Sequence, residues 1–298
     1  MRSRRTTHAP ATVARRLVYR SLYSLPAPVR DPAYALLGRR ELVLLGGLNA
    51  ADVSTAGIEV ADERRLLRSA ALPLAQHDAQ AAALNGLVYV FGGGGAIELD
   101  HIISFNAARG IVRQVGRLPH AQSDVAVAAT GGIAYIVGGY DGSSWLNTIL
   151  AWRPGAAAKV VGHLPVGLRY AAASAVSGQV VILGGSTPTG ASTAIYRFDP
   201  RTGSVRPIGR LPRPITHATA ATLGGFVYLV GGRGDDLESQ TAEVLAVDPR
   251  SGAVRRAGRL PQPLSDAAVV STGHRLVVAG GLTPAGTQAQ VGELTAAG

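Results

Sequence analysis
An all-β chain forming one ring of six blades, each blade a four-stranded antiparallel sheet, is predicted by three observations. Glycine pairs follow an apolar run at Gly46-Gly47, Gly92-Gly93, Gly138-Gly139, Gly184-Gly185, Gly231-Gly232 and Gly280-Gly281, in steps of 46, 46, 46, 47 and 49 residues. Leu-Pro pairs keep the same beat at Leu25-Pro26, Leu72-Pro73, Leu118-Pro119, Leu164-Pro165, Leu211-Pro212 and Leu260-Pro261. Between these markers hydrophobicity follows the period of strands, and turn residues cut each unit into four short segments. Four strands repeated at this spacing make the blade of a β-propeller.

Within a unit, the first segment alternates small residues, as in Asp78 to Ala83 and Asp124 to Ala129, and ends at a turn such as Asn85-Gly86 or Gly131-Gly132. Strands nearest a propeller axis approach one another most closely, which accounts for the alanines. The second segment is wholly apolar, Leu87 to Phe91 or Ile133 to Val137, and supplies bulk between blades. Glycine pairs at its end permit positive φ and close backbone approach. The third runs Ala194 to Asp199 in unit four and Glu243 to Asp248 in unit five, with Asp199 and Asp248 capping the turns that follow. The fourth covers Ser204 to Arg210 and Ala253 to Arg259.

Closure follows from the two ends. After the last glycine pair one more strand-like stretch, Gln288 to Leu294, remains and no fourth segment follows it; Arg16 to Leu25 stands where every other unit has that segment. The N-terminal strand therefore completes the sixth blade and removes the open edge. The expected boundaries are a basic tail at 1–11 and blades at 27–73, 74–119, 120–165, 166–212, 213–261, and 262–298 with 12–26.

Composition narrows the function classes. With 47% hydrophobic residues the chain can bury a large core. No cysteine is present, which excludes disulfides, Cys-ligated zinc, thiol nucleophiles and a thioether-crosslinked cofactor. The net charge of +10 is concentrated: Arg2, Arg4, Arg5, Arg15, Arg16 and Arg20 carry +6 of it, and further arginines fall on the outer strands. Nucleic acid or an anionic membrane is thus an unfavoured partner, since aromatic residues near that basic tail are limited to Tyr19 and Tyr23. Glycines and a proline interrupt the longest uncharged stretch, between Arg169 and Arg197, so no transmembrane segment is expected. No apolar run follows the N-terminal arginines, so a cytoplasmic monomer is the default expectation, with secretion the alternative if the start site lies elsewhere.

Val88 to Gly93, Ala134 to Gly139 and Val227 to Gly232 share the pattern apolar-Tyr-apolar-apolar-Gly-Gly, and Tyr196-Arg197-Phe198-Asp199-Pro200 ends a third strand. These residues resemble the Kelch-repeat family over about residues 16 to 294, with Leu-Pro where that family has Met-Pro. The family's tryptophan position holds Val112, Val205 and Val254, so the chain is similar to a divergent, bacterial-type Kelch ring. The resemblance implies the propeller fold; Kelch propellers include protein adaptors, glycan-associated proteins and a few enzymes.

Five residues beyond each Leu-Pro proline stand Asp31, Asp78, Asp124, Tyr170, His217 and Asp266, preceded by Arg30, His77, Ser123, Arg169, Thr216 and Ser265. In this fold they ring the mouth of the central channel, on the face where Kelch proteins usually bind partners. The aspartates could instead serve only as turn caps; Tyr170 and His217 break that pattern and, with Arg169, are the preferred binding candidates. The loops after the glycine pairs open on the same face. One of them, Tyr140 to Trp145, holds one of two tryptophans in a polar setting, and aromatic residues concentrate at binding hot spots. Trp152, in a strand, reads as core.

Catalytic and metal motifs are missing. His77-Asp78 and Asp100-His101 lack a third ligand at a recognisable spacing, and no nucleophile elbow, phosphate-binding loop or zincin helix occurs. No cofactor and no metal are expected. The favoured function is a non-enzymatic binding module that holds a protein or glycan partner on the mouth face through Asp31, Asp78, Asp124, Tyr140, Trp145, Arg169, Tyr170, His217 and Asp266. The alternative is a carbohydrate-active isomerase, mutarotase or lyase using the same cavity, with Glu98 or Glu238 as acid beside Arg169.

Overall fold
A computed structural model describes residues 13–297; the basic tail at 1–11 lies outside them. Six four-stranded antiparallel sheets repeat one order, inner to outer, as in Ala126–Thr130, Ile133–Val137, Thr148–Trp152 and Lys159–His163 of blade three. Equivalent sets run through blades one, two, four and five, beginning at Ala33–Leu37, Gln80–Leu84, Ala172–Val176 and Thr219–Leu223. Blade six is assembled from both ends of the chain: Ala268–Ser271, Arg275–Ala279 and Gln290–Ala296, completed by Leu17–Ser24. Leu17 pairs with Ala296 and Ser24 with Gln290, across a bulge between Ser21 and Tyr23. The expected closure is therefore the observed one, and the innermost strands form a continuous ring in which Ala33–Leu37 packs against Ala268–Ser271.

The core is divided among the six gaps between neighbouring blades, each filled by bulky residues of the second and third strands. Between blades two and three, Trp152 is core as expected, with its ring edge-on to Phe91 at 5.3 Å and tilted against Tyr89 at 4.9 Å. Val112, Val205 and Val254 pack against such gaps from the outer strands. A side chain of this size removed from water contributes roughly 1.5–3 kcal/mol.

Gly138 and Gly139 show why the pairs recur. Both have positive φ, 63° and 110°. A Cβ on Gly138 would collide with the Leu168 carbonyl, which instead accepts the Gly139 amide at 2.8 Å. Every glycine pair repeats this bond to the segment leading into the next blade, at 2.8 to 2.9 Å, ending with Gly281 to Val29 across the closure. Glycine is required because the backbone itself is the joint. At the outer turns, Asp199 Oδ1 accepts the Arg201 amide at 3.0 Å and Asp248 Oδ1 the Arg250 amide at 2.8 Å, which are the predicted caps.

Candidate functional site
Each chain segment entering an innermost strand passes through a residue in the left-handed region: Asp31, Asp78, Asp124, Tyr170, His217 and Asp266, with φ between 49° and 59°. Their backbones form a closed cycle. Asp78 N donates to Asp31 O, Asp124 N to Asp78 O, Tyr170 N to Asp124 O, His217 N to Tyr170 O, Asp266 N to His217 O, and Asp31 N to Asp266 O, at 2.8 to 3.4 Å. Aspartate and histidine tolerate this φ better than most residues, whereas tyrosine does so rarely. The structural work at these positions is done by main-chain groups, so the aspartate side chains are not turn caps.

All six side chains line one cavity of about 70 Å³ at the channel mouth. Around them lies a second ring. Arg30, His77, Ser123, Arg169, Thr216 and Ser265 each bridge to the residue just after a glycine pair, which brings Tyr140 beside Ser123 and Arg233 beside Thr216. Thus the structure gathers all nine residues singled out in the sequence onto one face.

Arg169 is the best-held group of this face. Its Nε donates to the buried Asp124 carboxylate, and its guanidinium lies 4.1 Å from the Tyr140 ring centroid, 5.3 Å from Trp145 and 5.2 Å from Tyr170. Tyr140 and Trp145 meet edge to face at 5.5 Å. Their loop is ordered locally: Asp141 Oδ1 accepts the amides of Ser143 and Ser144 at 2.9 and 2.8 Å, and the Tyr140 hydroxyl donates to the Gly142 carbonyl. Gly167 is needed beneath it, because a Cβ there would strike the Trp145 carbonyl. The Trp145 Nε1 hydrogen is buried without an acceptor.

Next to this cluster Tyr170 stacks on His217 at 3.7 Å and donates its hydroxyl hydrogen to Asp78 Oδ2 at 3.2 Å. Arg233 Nη2 donates to His217 Nε2 at 3.0 Å, so the imidazole proton sits on Nδ1 and is given to Thr216 Oγ1. Burial, aided by the neighbouring arginines and opposed by Asp266, lowers the His217 pKa to about 4. Burial and mutual carboxylate repulsion push Asp31 and Asp78 well above the usual carboxylate range. Burial also raises Asp124, with Arg169 opposing the rise, and raises Tyr170 far above the ordinary phenol value.

Three contributors were not singled out from the sequence. Tyr34, Gln80 and Thr219 line the floor of the mouth. The Tyr34 amide donates to Gln80 Oε1 at 3.2 Å, and burial pushes the Tyr34 hydroxyl pKa up to about 12. One signal was available: Tyr34 is an aromatic residue on a strand position where the other units carry alanine or valine. The acids considered for a catalytic role do not fit, since neither Glu98 nor Glu238 lines the cavity. Asp100 is engaged by Arg117 at 2.6 Å and His101 is buried at the start of a third strand. Among the described residues no three acidic or histidine side chains converge with metal-holding geometry, and no helix is long and apolar enough to cross a membrane.

Comparison with known proteins agrees with this fold. Residues 123–155, which span blade three up to the start of its outer turn, match the Kelch motif. Among solved structures, the one titled "Structure of YjhT" is similar in fold, with a TM-score of 0.77 and 16% sequence identity, covering 92% of this chain and 95% of that one. No curated protein sequence matches. Six blades built on one repeat, with the Kelch motif matched in the third, support a Kelch-repeat β-propeller.

Proposed function
We propose that the chain is a binding module that holds its partner on the channel-mouth face, with Tyr140, Trp145 and Arg169 as the contact platform. A propeller of this type is a scaffold for interaction or for catalysis, and one observation favours interaction. Arg169 is fixed in advance by a buried carboxylate and three aromatic rings, so it loses little rotamer freedom when a partner docks. Aromatic residues and arginine are the types that dominate interface energetics.

The cavity beside the platform is far smaller than the ~300–1,000 Å³ typical of small-molecule sites. It admits the tip of a group presented from outside rather than a whole sugar ring. A catalytic reading draws on the convergence of Asp78, Tyr170 and His217 with displaced pKa values, and it predicts turnover that depends on Tyr170.

The test is affinity measurement on a captured protein or glycan partner with Arg169→Ala and Trp145→Ala. Each substitution is expected to weaken binding by about tenfold or more, as for interface hot spots. Unchanged affinity in both would place the partner elsewhere, and conversion of a sugar substrate that is lost in Tyr170→Phe would favour the catalytic reading.

A further inference from the structure
The mouth carries carboxyl groups that the chain does not pair with its own cations. Five carboxylates, Asp31, Asp52, Asp78, Asp124 and Asp266, face three guanidiniums. Arg169 is taken by Asp124, and Arg30 Nη2 by Asp52 Oδ1 at 2.9 Å. Arg233 donates to His217 and to the carbonyls of Gly234 and Asp235 at 3.3 and 3.2 Å. No arginine or lysine among the described residues lies within ion-pair distance of Asp31, Asp78 or Asp266. His77 stands 3.5 Å from Asp78, but burial lowers its pKa and favours the neutral ring.

Asp266 is the most telling of the three. It is only 8% exposed and lines the cavity. Its Oδ2 accepts the Ser265 hydroxyl hydrogen, while Oδ1 receives no hydrogen bond. A buried carboxylate oxygen without a donor is costly. A group that relieves this must present a donor on a narrow tip, because the cavity volume equals that of two or three waters, and the carboxyl groups without an ion-pair partner around it favour a positively charged donor.

We propose that the mouth cavity receives the ammonium group of a lysine side chain from a protein partner. An ammonium offers three donors without a fixed plane, and Asp266 Oδ1 is the acceptor the cavity leaves open for one of them. The unbranched methylene stem would pass the stacked rings of Tyr170 and His217, whereas an amino sugar carries its amine directly on a ring too bulky to follow it in. In the empty cavity, protons held by Asp31 and Asp78 limit the repulsion among the carboxylates, and an entering ammonium displaces them. The proposal rests on the mouth being the binding face and names what the partner inserts there.

The test is an amide NMR titration of the full chain with N-α-acetyl-lysine methylamide, beside its norleucine counterpart and glucosamine. Saturable shifts at Asp31, Asp78, His217 and Asp266 with the lysine derivative alone are expected, together with about tenfold or more weaker binding in Asp266→Asn. Equal shifts with norleucine, no saturable shift with lysine, or unchanged affinity in Asp266→Asn would overturn the proposal; tighter binding of glucosamine would overturn the lysine source. If the variant does not fold, the comparison of the three ligands on the native chain decides. Loss of partner binding in Arg169→Ala and Trp145→Ala without any lysine response would retain the platform and remove only this inference.

Discussion

The two ends of the central channel are built from the same six strands and differ in nearly every chemical respect. At the mouth stand four aspartates, a tyrosine and a histidine around about 70 Å³. Beneath them the bore widens to about 280 Å³, lined mainly by alanine and valine, including Ala82, Ala128, Ala175 and Val269. Tyr34 and Thr219 line the mouth, while the residues after them, Ala35 and Ala220, line the bore. The bore repeats one residue type because closely approaching strands leave room for little else. At the mouth the cyclic main-chain hydrogen bonds already satisfy the backbone, so the side chains are free to vary. Where they vary most, at Tyr170 and His217, the repeat is least symmetric and the chemistry most concentrated.

The largest effect is expected from an element on which both ends depend. Removing the chain through Ser24 takes away the closing strand, and thermal unfolding should reveal loss of much of the roughly 5–15 kcal/mol that holds a domain; an unchanged melting temperature would contradict closure. Ala128→Asp carries a mouth-type side chain into the mostly apolar bore and should lower stability by about 1–3 kcal/mol in urea titration. If it does not, the two ends are less distinct than their linings imply. Within the mouth, Asp124→Asn breaks the bond that orients Arg169 and should cost about 1–3 kcal/mol while also weakening partner binding.

Charge regulation separates the ends further. The His217 pKa is about 4 when folded and ~6.5 when unfolded. Between those values the unfolded chain binds more protons, so this residue's contribution is present above the unfolded value and lost as pH falls. Asp31 and Asp78 act in the opposite sense: their folded pKa values are raised, and their contribution is lost as pH rises through them. His217→Asn removes only the first effect, so its stability deficit against the native chain should narrow by about 1–2 kcal/mol between about pH 7 and pH 5. A constant deficit would show that His217 is not held neutral. The smallest expected change has the reverse sign: Asp31→Asn keeps a residue that accepts positive φ and removes a repelled carboxylate, so it should stabilise the chain at neutral pH by on the order of 1 kcal/mol.

Much of the fold was legible because the repeat is written in residues with backbone consequences. Gly138-Gly139 and its five equivalents mark the joints between blades, and strands expected at Leu87 to Phe91, Ile133 to Val137 and Ser204 to Arg210 are observed at those bounds. The mouth was legible as well, since counting from each Leu-Pro pair identifies all six of its inner residues. Their roles were less so. The aspartates looked equally suited to capping turns, yet capping is found at Asp199 and Asp248 while the mouth aspartates face the channel. Tyr34 is legible in the sequence only as an aromatic residue where the other units carry alanine or valine; that it lines the mouth depends on the closed ring.

Blade number, strand order within a blade and the joining of the two chain ends were determined by the sequence alone, because each depends on local turns and nearest-neighbour contacts that recur at a fixed interval. Only the tertiary structure decided that Asp124 is ion-paired while Asp31 and Asp266 are not, that Arg169 lies among three rings, and that Tyr34 lines the mouth. Pairing and protonation depend on distances between blades and on exclusion of water from the mouth. Neither is encoded by spacing along the chain.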